Sequence, residues 1–217
     1  MALTGFHLRV AQLLSHATEG EGFALGGGYG LQTHDLTDRP SNDLDFYVDR
    51  FDPAVFERAE RALIALVEAD GLTARVVKQE DVFRAILVTG EDGEQVVVDL
   101  GYDYRENPPM RVKGIGPVLD IEYIVTGKVR ALLERGAERD YSDIDNILSS
   151  GRWTPADLLA KGQTVFPDTT AASFAARHAR ADPLDPENDA AIGIRAVELF
   201  AMQERLSAAA QKLTTER

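Results

Sequence analysis

Residues 23–48 read FALGGGYGLQTHDLTDRPSNDLDFYV. Phe23-Ala24-Leu25 is a short apolar run, Gly26-Gly27-Gly28 ends it, and Tyr29 to Asp35 follows. That order predicts a short strand, a glycine turn and a short helix. Thr37-Asp38-Arg39-Pro40-Ser41-Asn42 consists of loop formers. Leu44, Phe46 and Val48 then alternate with Asp43, Asp45 and Tyr47, the period of a half-buried strand. Side chains two apart on a strand share a face, so Asp43 and Asp45 point the same way. An isolated acid pair at this spacing is ordinarily a solvated strand face. Here two like charges repel at close range, and a shared divalent cation removes that cost most directly. The glycine turn just upstream can bring backbone N–H groups against a phosphate.

On the N-terminal side, Leu3, Phe6, Val10, Leu13 and Leu14 recur at helical spacing, predicting an amphipathic helix over 3–18. His7, Arg9 and Gln12 interrupt any apolar run there, so a signal peptide is not expected. On the other side, Pro53 suits a helix start, and apolar positions continue to Gly71. Three strand-like runs follow, Leu72–Val77, Val82–Thr89 and Gln95–Leu100. Gly90-Glu91-Asp92-Gly93 reads as the hairpin turn between the last two. Residues 101–119, with Pro108-Pro109, Gly114, Gly116 and Pro117, read as loop. From Asp120 the pattern is helical, with helices expected over 120–135, 138–149, 155–164 and near 187–212. The fold class is therefore α+β, with a mixed-sheet head over 1–119 and a helical part over 120–217.

Composition narrows the function. The chain has 217 residues, 44% of them apolar, which is enough for a real core. It carries 36 acidic and 23 basic side chains for a net charge of −13, a balance that disfavours nonspecific duplex binding. No cysteine is present, which excludes disulfides, thiolate nucleophiles and cysteine-ligated metals. No apolar run reaches the roughly 18 residues of a membrane span. A cytoplasmic protein with no membrane partner is expected.

Asp99 ends the apolar strand Val96-Val97-Val98-Asp99-Leu100. An unpaired charge at a buried strand end is expensive, so Asp99 needs a partner. It makes an ordinary cap or surface pair, or, if its strand lies beside Asp43–Val48, it completes a three-carboxylate cluster. Magnesium binds through a few carboxylates plus substrate phosphates, and such a triad suits it. Lys128 falls in the middle of the stripe formed by Ile121, Ile124, Val125 and Leu132. A lysine there must snorkel, pair, or reach into a site. Asp140 and Asp143 lie one turn apart on the next helix. Either they complement the helix dipole, or they orient Lys128 or Arg135 toward a nucleotide.

Other chemistries lack support. His7, His16, His34 and His178 show no zinc-binding spacing, and His34 reads as a surface or hinge residue. No serine lies in a nucleophile-elbow context, and the glycine run is not followed by Gly-Lys-Ser/Thr. Trp153 reads as a core anchor of the helical part.

Gly27-Gly28-Tyr29-Gly30-Leu31, His34, Arg39, Ser41 and Asp43-Leu44-Asp45-Phe46 together resemble the first motif of a known family. Lys128-Val129-Arg130-Ala131-Leu132 with Arg135, Arg139-Asp140 and Asp143 resemble its second. The family is the AbiEii/AbiGii-like toxin nucleotidyltransferases, a branch of the polymerase-β-like superfamily, and the resemblance covers roughly residues 20–150. It implies magnesium and a nucleoside triphosphate as substrate; two ions are expected, held by Asp43, Asp45 and, by inference from its strand position, Asp99. The implied catalytic set is Asp43, Asp45, Asp99 and Lys128. Gly27, Gly28, Ser41, Lys128, Asp140 and Asp143 would bind the nucleotide. Some relatives modify tRNA ends and are neutralised by an antitoxin, so tRNA or another RNA acceptor and a cognate antitoxin are the implied partners. The sequence departs from the motif at Tyr29, where Ser or Thr usually stands, leaving Ser41 to supply a hydroxyl.

The reaction expected is in-line attack on the α-phosphorus with pyrophosphate leaving. Asp99 is the expected acceptor of the proton from the attacking hydroxyl. Two other readings stay open, a nucleotidyltransferase acting on a small molecule such as an antibiotic, and a noncatalytic nucleotide-binding module.

Overall fold

The computed structural model describes residues 5–39, 41–179 and 196–215. The chain divides into two compact units, residues 1–124 and 125–217. The first is built on a seven-stranded mixed sheet. Its strands are β1 (Ala24–Leu25), β2 (Asp43–Val48), β3 (Thr73–Glu80), β4 (Phe83–Thr89), β5 (Gln95–Tyr102), β6 (Met110–Val112) and β7 (Gly116–Val118). Their spatial order is β3-β4-β5-β2-β1-β7-β6. The central pair β2–β5 is parallel, β1 runs antiparallel to β2, and β7 is parallel to β1.

Three helices accompany the sheet: α1 (Gly5–Ala17), α2 (Gly27–Thr33) and α3 (Pro53–Ala69). Alternation in β2 buries Leu44, Phe46 and Val48 completely and leaves Asp43, Asp45 and Tyr47 half-buried on the opposite face. Val55, Phe56, Ala59, Leu63 and Val67 form the buried face of α3, whose start is capped by the Asp52 carboxylate accepting from Ala54 N at 3.0 Å.

An arginine is part of this core. Arg84 on β4 is 2% exposed, and its Nε donates to Glu60 Oε2 of α3 at 2.6 Å. Its Nη1 donates to the carbonyls of Phe83 and Glu80, so the guanidinium is held from several sides. Breaking a hydrogen-bonded charge pair at a buried site is costly. Arg84→Met is expected to lower stability by about 2 kcal/mol, with the strand order intact, read as a drop in Tm.

The second unit is helical among its described residues. The division falls inside α4 (Ile121–Glu134), which is followed by α5 (Glu138–Ser149), α6 (Pro155–Val165), α7 (Ala171–Ala179) and α8 (Ala196–Thr215). Helix α8 packs against α5, α6 and α7. Trp153 is 7% exposed with the Arg152 guanidinium 4.8 Å from its ring centre, an anchor as expected. No helix among the described residues is long and apolar enough to cross a membrane.

The elements differ from expectation at a few places. Residues 101–119 are not all loop, because β6 and β7 pair there as a hairpin and Val118 pairs with Leu25. Three-residue strands containing Gly116 and Pro117 carry no alternation, so only their pairing defines them. Strand β3 continues to Glu80 through a bulge between Val76 and Lys78, which interrupts the alternation that would have marked it. Helix α7 forms in an Ala-rich stretch where no helix was expected, with the Thr170 hydroxyl accepting from Ser173 N at 3.1 Å at its start. The last helix runs from Ala196 to Thr215, and the expected 187–195 part lies outside the described residues. His34 is half-buried, with its ring nitrogen Nε2 2.9 Å from the Leu119 carbonyl.

Candidate active site

The glycine run opens α2. Gly27 has φ +58°, a left-handed conformation that only glycine adopts freely, and Gly28 follows within the first turn. Backbone N–H groups of a first helical turn lack intrahelical acceptors. Gly27 packs directly on Asp45: a Cβ added there would sit on the carboxylate oxygen Oδ2. A Cβ on Gly28 would lie 2.6 Å from the Ser41 hydroxyl. The absence of both side chains leaves a cradle beside the acid strand.

The acids come together through strand register. Asp45 of β2 is opposite Asp99 of β5, and parallel partners in register present their side chains on the same face. Ala85 of β4 flanks Asp99, and Gly26, whose N–H donates to the Asp45 carbonyl at 2.8 Å, flanks Asp45. The row Ala85–Asp99–Asp45–Gly26 thus sets two acids between two of the smallest residues. Asp43 lies one pleat along β2 on that face. All three acids are half-buried, and Asp99 Oδ1 is shielded from solvent. Like charges on neighbouring positions repel, so this face favours a cation.

Ser41 and Tyr29 close the turn. Ser41 Oγ donates to Asp43 Oδ1 at 2.8 Å, and Tyr29 Oη donates to the Ser41 carbonyl at 2.8 Å. Burial and then the Asp43 charge push the Tyr29 pKa up, so the phenol stays a donor. The His7 ring of α1 packs 5.6 Å from the Tyr29 ring, and burial pushes the His7 pKa down. Arg39 had no assigned role in the sequence beyond its place in the motif. Its Nη2 lies 3.6 Å from where a Gly28 Cβ would be, which puts a guanidinium at the cradle.

The remaining expected residues belong to the second unit. Lys128 sits on the inward face of α4 with Ile124, Val125, Val129 and Leu132, and its side chain is 13% exposed. Its Nζ is 2.8 Å from Asp143 Oδ2, and Asp143 is fully buried. Asp140, also fully buried, accepts from Arg135 Nε at 2.9 Å, Arg135 Nη2 at 2.8 Å and Ala137 N at 2.9 Å. Asp145, which no reading had singled out, accepts from both Nε and Nη2 of Arg205 on α8. Helix α5 thus carries three buried acids, each facing a base. Asp143 holds the cation that points from the apolar stripe; Asp140 and Asp145 fasten neighbouring segments.

Among the described residues, no group of three or more His, Asp or Glu side chains is arranged as it stands to hold a metal ion. Magnesium needs less than that, being bound through one or two carboxylates together with substrate phosphates. The donor set of hard carboxylate oxygens, and a cradle that a Cβ at Gly27 would fill, fit that ion.

Comparison with known proteins follows the same line. A family model described as nucleotidyl transferase AbiEii toxin, type IV toxin–antitoxin system, matches residues 10–215. Among solved structures, the chain is similar to MenT4, the nucleotidyltransferase toxin Rv2826c from Mycobacterium tuberculosis H37Rv. The identity is 17% and the TM-score 0.67, covering 97% of this chain and 82% of that one. It is also similar to JHP933 from Helicobacter pylori, at 19% identity and a TM-score of 0.54, covering 95% and 88% of the two chains. At these identities the likeness is one of fold. No curated protein sequence matches the chain.

Proposed function

The chain belongs to the AbiEii nucleotidyl transferase toxin family and is a nucleotidyltransferase, and from that premise we propose that it moves a nucleoside monophosphate from a nucleoside triphosphate to an RNA hydroxyl, tRNA foremost, with magnesium. The observation that carries this is the acid pair Asp45–Asp99, in register across β2 and β5 and faced by the Gly27 cradle.

Each residue has a distinct task in this reading. Asp43, Asp45 and Asp99 hold the metal. Magnesium bound there supplies charge stabilisation to the attacking and leaving oxygens. Asp99, shielded on one side, takes the proton of the attacking hydroxyl. Gly27 and Gly28 let backbone N–H groups reach the triphosphate, with the Ser41 hydroxyl bordering Gly28. Lys128 offsets the triphosphate charge, Asp143 fixes the Lys128 head, and Asp140 fixes Arg135. In this reading the nucleotidyltransferase head is 1–119 and the helical part 120–217. A cognate antitoxin is the proposed protein partner, and the cytoplasm the proposed compartment.

The acceptor is tested by incubating the protein with α-labelled nucleoside triphosphates, magnesium and total tRNA. Label in RNA that disappears with Asp43→Ala is expected. Raised tolerance to an aminoglycoside or lincosamide in expressing cells, without RNA labelling, would move the acceptor to a small molecule. Triphosphate binding that ignores magnesium and survives Asp43→Ala, seen by calorimetry, would instead identify a noncatalytic nucleotide-binding module.

A further inference from the structure

We propose that Tyr29 is a positioning residue for Asp43, acting through Ser41; this rests on the assignment of Asp43 as a metal-holding carboxylate. Tyr29 stands where the family motif has a small hydroxyl residue, and the structure gives its phenol a different task. The ring is 7% exposed, and Oη donates to the Ser41 carbonyl at 2.8 Å. The phenolic proton is therefore committed within the protein. Ser41 is 6% exposed, and its own hydroxyl donates to Asp43 Oδ1 at 2.8 Å.

The two bonds form a relay from helix to loop to strand. Tyr29 fixes the backbone of Ser41, and that backbone fixes where the Ser41 hydroxyl meets Asp43. Loop formers such as Arg39-Pro40-Ser41-Asn42 support several turns, and the Tyr29 bond acts on Ser41 itself, two residues past the Arg39 carbonyl that Gln32 Nε2 holds. Gly28 keeps the relay short, since a Cβ there would lie 2.6 Å from Ser41 Oγ and 3.0 Å from its Cβ. The His7 ring, 5.6 Å from the Tyr29 ring, supports the phenol from α1. A burial-raised pKa keeps the phenol protonated through the working range. A carboxylate held by a neighbouring donor presents its oxygens to a metal in one orientation, and removing such a holder typically weakens metal binding or activity by about 10–100-fold.

Tyr29→Phe removes only the hydroxyl and keeps the ring against His7; Ser41→Ala removes the second link. Mn2+ binding by calorimetry, in the presence of a non-hydrolysable nucleoside triphosphate, is measured for wild type, both single variants, the double variant and Asp43→Ala. Turnover and KM for the triphosphate are measured alongside, with Tm as the check on folding. The expected result is Mn2+ affinity lowered about tenfold or more in each single variant. The double variant should be no weaker than Ser41→Ala alone, because both lie on one path. Turnover of Tyr29→Phe should fall with the triphosphate KM little changed. Tyr29→Phe binding Mn2+ like wild type would overturn the relay and leave the assignment of Asp43 standing. Losses that multiply in the double variant would also overturn it. Wild-type Mn2+ binding that ignores Asp43→Ala would overturn the metal assignment and the relay with it.

Discussion

Lys128→Met is expected to cut nucleotide transfer by roughly 10²–10³-fold, the effect of removing one preorganised charge partner. The same change should destabilise the protein, which runs against the usual gain from exchanging a buried ammonium for a thioether. The reason is Asp143. Its carboxylate is fully buried 2.8 Å from Lys128 Nζ, and removing the ammonium takes a cation away from a buried charge. Such half-broken pairs cost about 3–5 kcal/mol. Stability and activity must therefore be separated with Lys128→Met/Asp143→Leu, which replaces the whole pair by apolar groups and is expected to recover most of the Tm. Activity should not recover. A stable, fully active double variant would show that the pair serves packing alone.

Gly27→Ala is the second change with a large expected effect. At φ +58° an alanine is strained by about 1 kcal/mol or more, and its Cβ would occupy the position of the Asp45 carboxylate. The buried face of β2, Leu44, Phe46 and Val48, is untouched, so the head should still fold. Asp45 must move by about an ångström, and a misplacement of that size at a reacting centre costs roughly 10²-fold in rate. Circular dichroism and turnover on the one variant read both effects. An alanine tolerated with full turnover would remove the Gly27 cradle from the mechanism.

The parts of this site that sequence made legible are those governed by period. Alternation over 43–48 placed Asp43 and Asp45 on one face, and the structure keeps them there. Helical period placed Lys128 inside an apolar stripe, and its side chain is nearly buried. What period cannot supply is partner choice across the fold. Asp99 stands beside Asp45 only because β5 pairs with β2 in parallel, with the whole of α3 and the β3–β4 hairpin between them in sequence. The choice of Asp143 over Asp140 for Lys128 depends on how α5 is turned, since both lie along one edge of its face. Tyr29 was legible only as a departure from a motif; its hydrogen bond to Ser41 needs the coordinates of a loop that carries no period at all.

The Asp43–Asp45–Asp99 face is proposed to drive nucleotidyl transfer. The most direct measurement supplies α-labelled and γ-labelled nucleoside triphosphate in parallel to wild type and Asp45→Asn, with magnesium and total tRNA. The expected result is label in RNA from the α position alone, pyrophosphate released in step with it, and a rate at least about 10²-fold lower in Asp45→Asn. Label arriving from the γ position, or an Asp45→Asn rate equal to wild type, would contradict it.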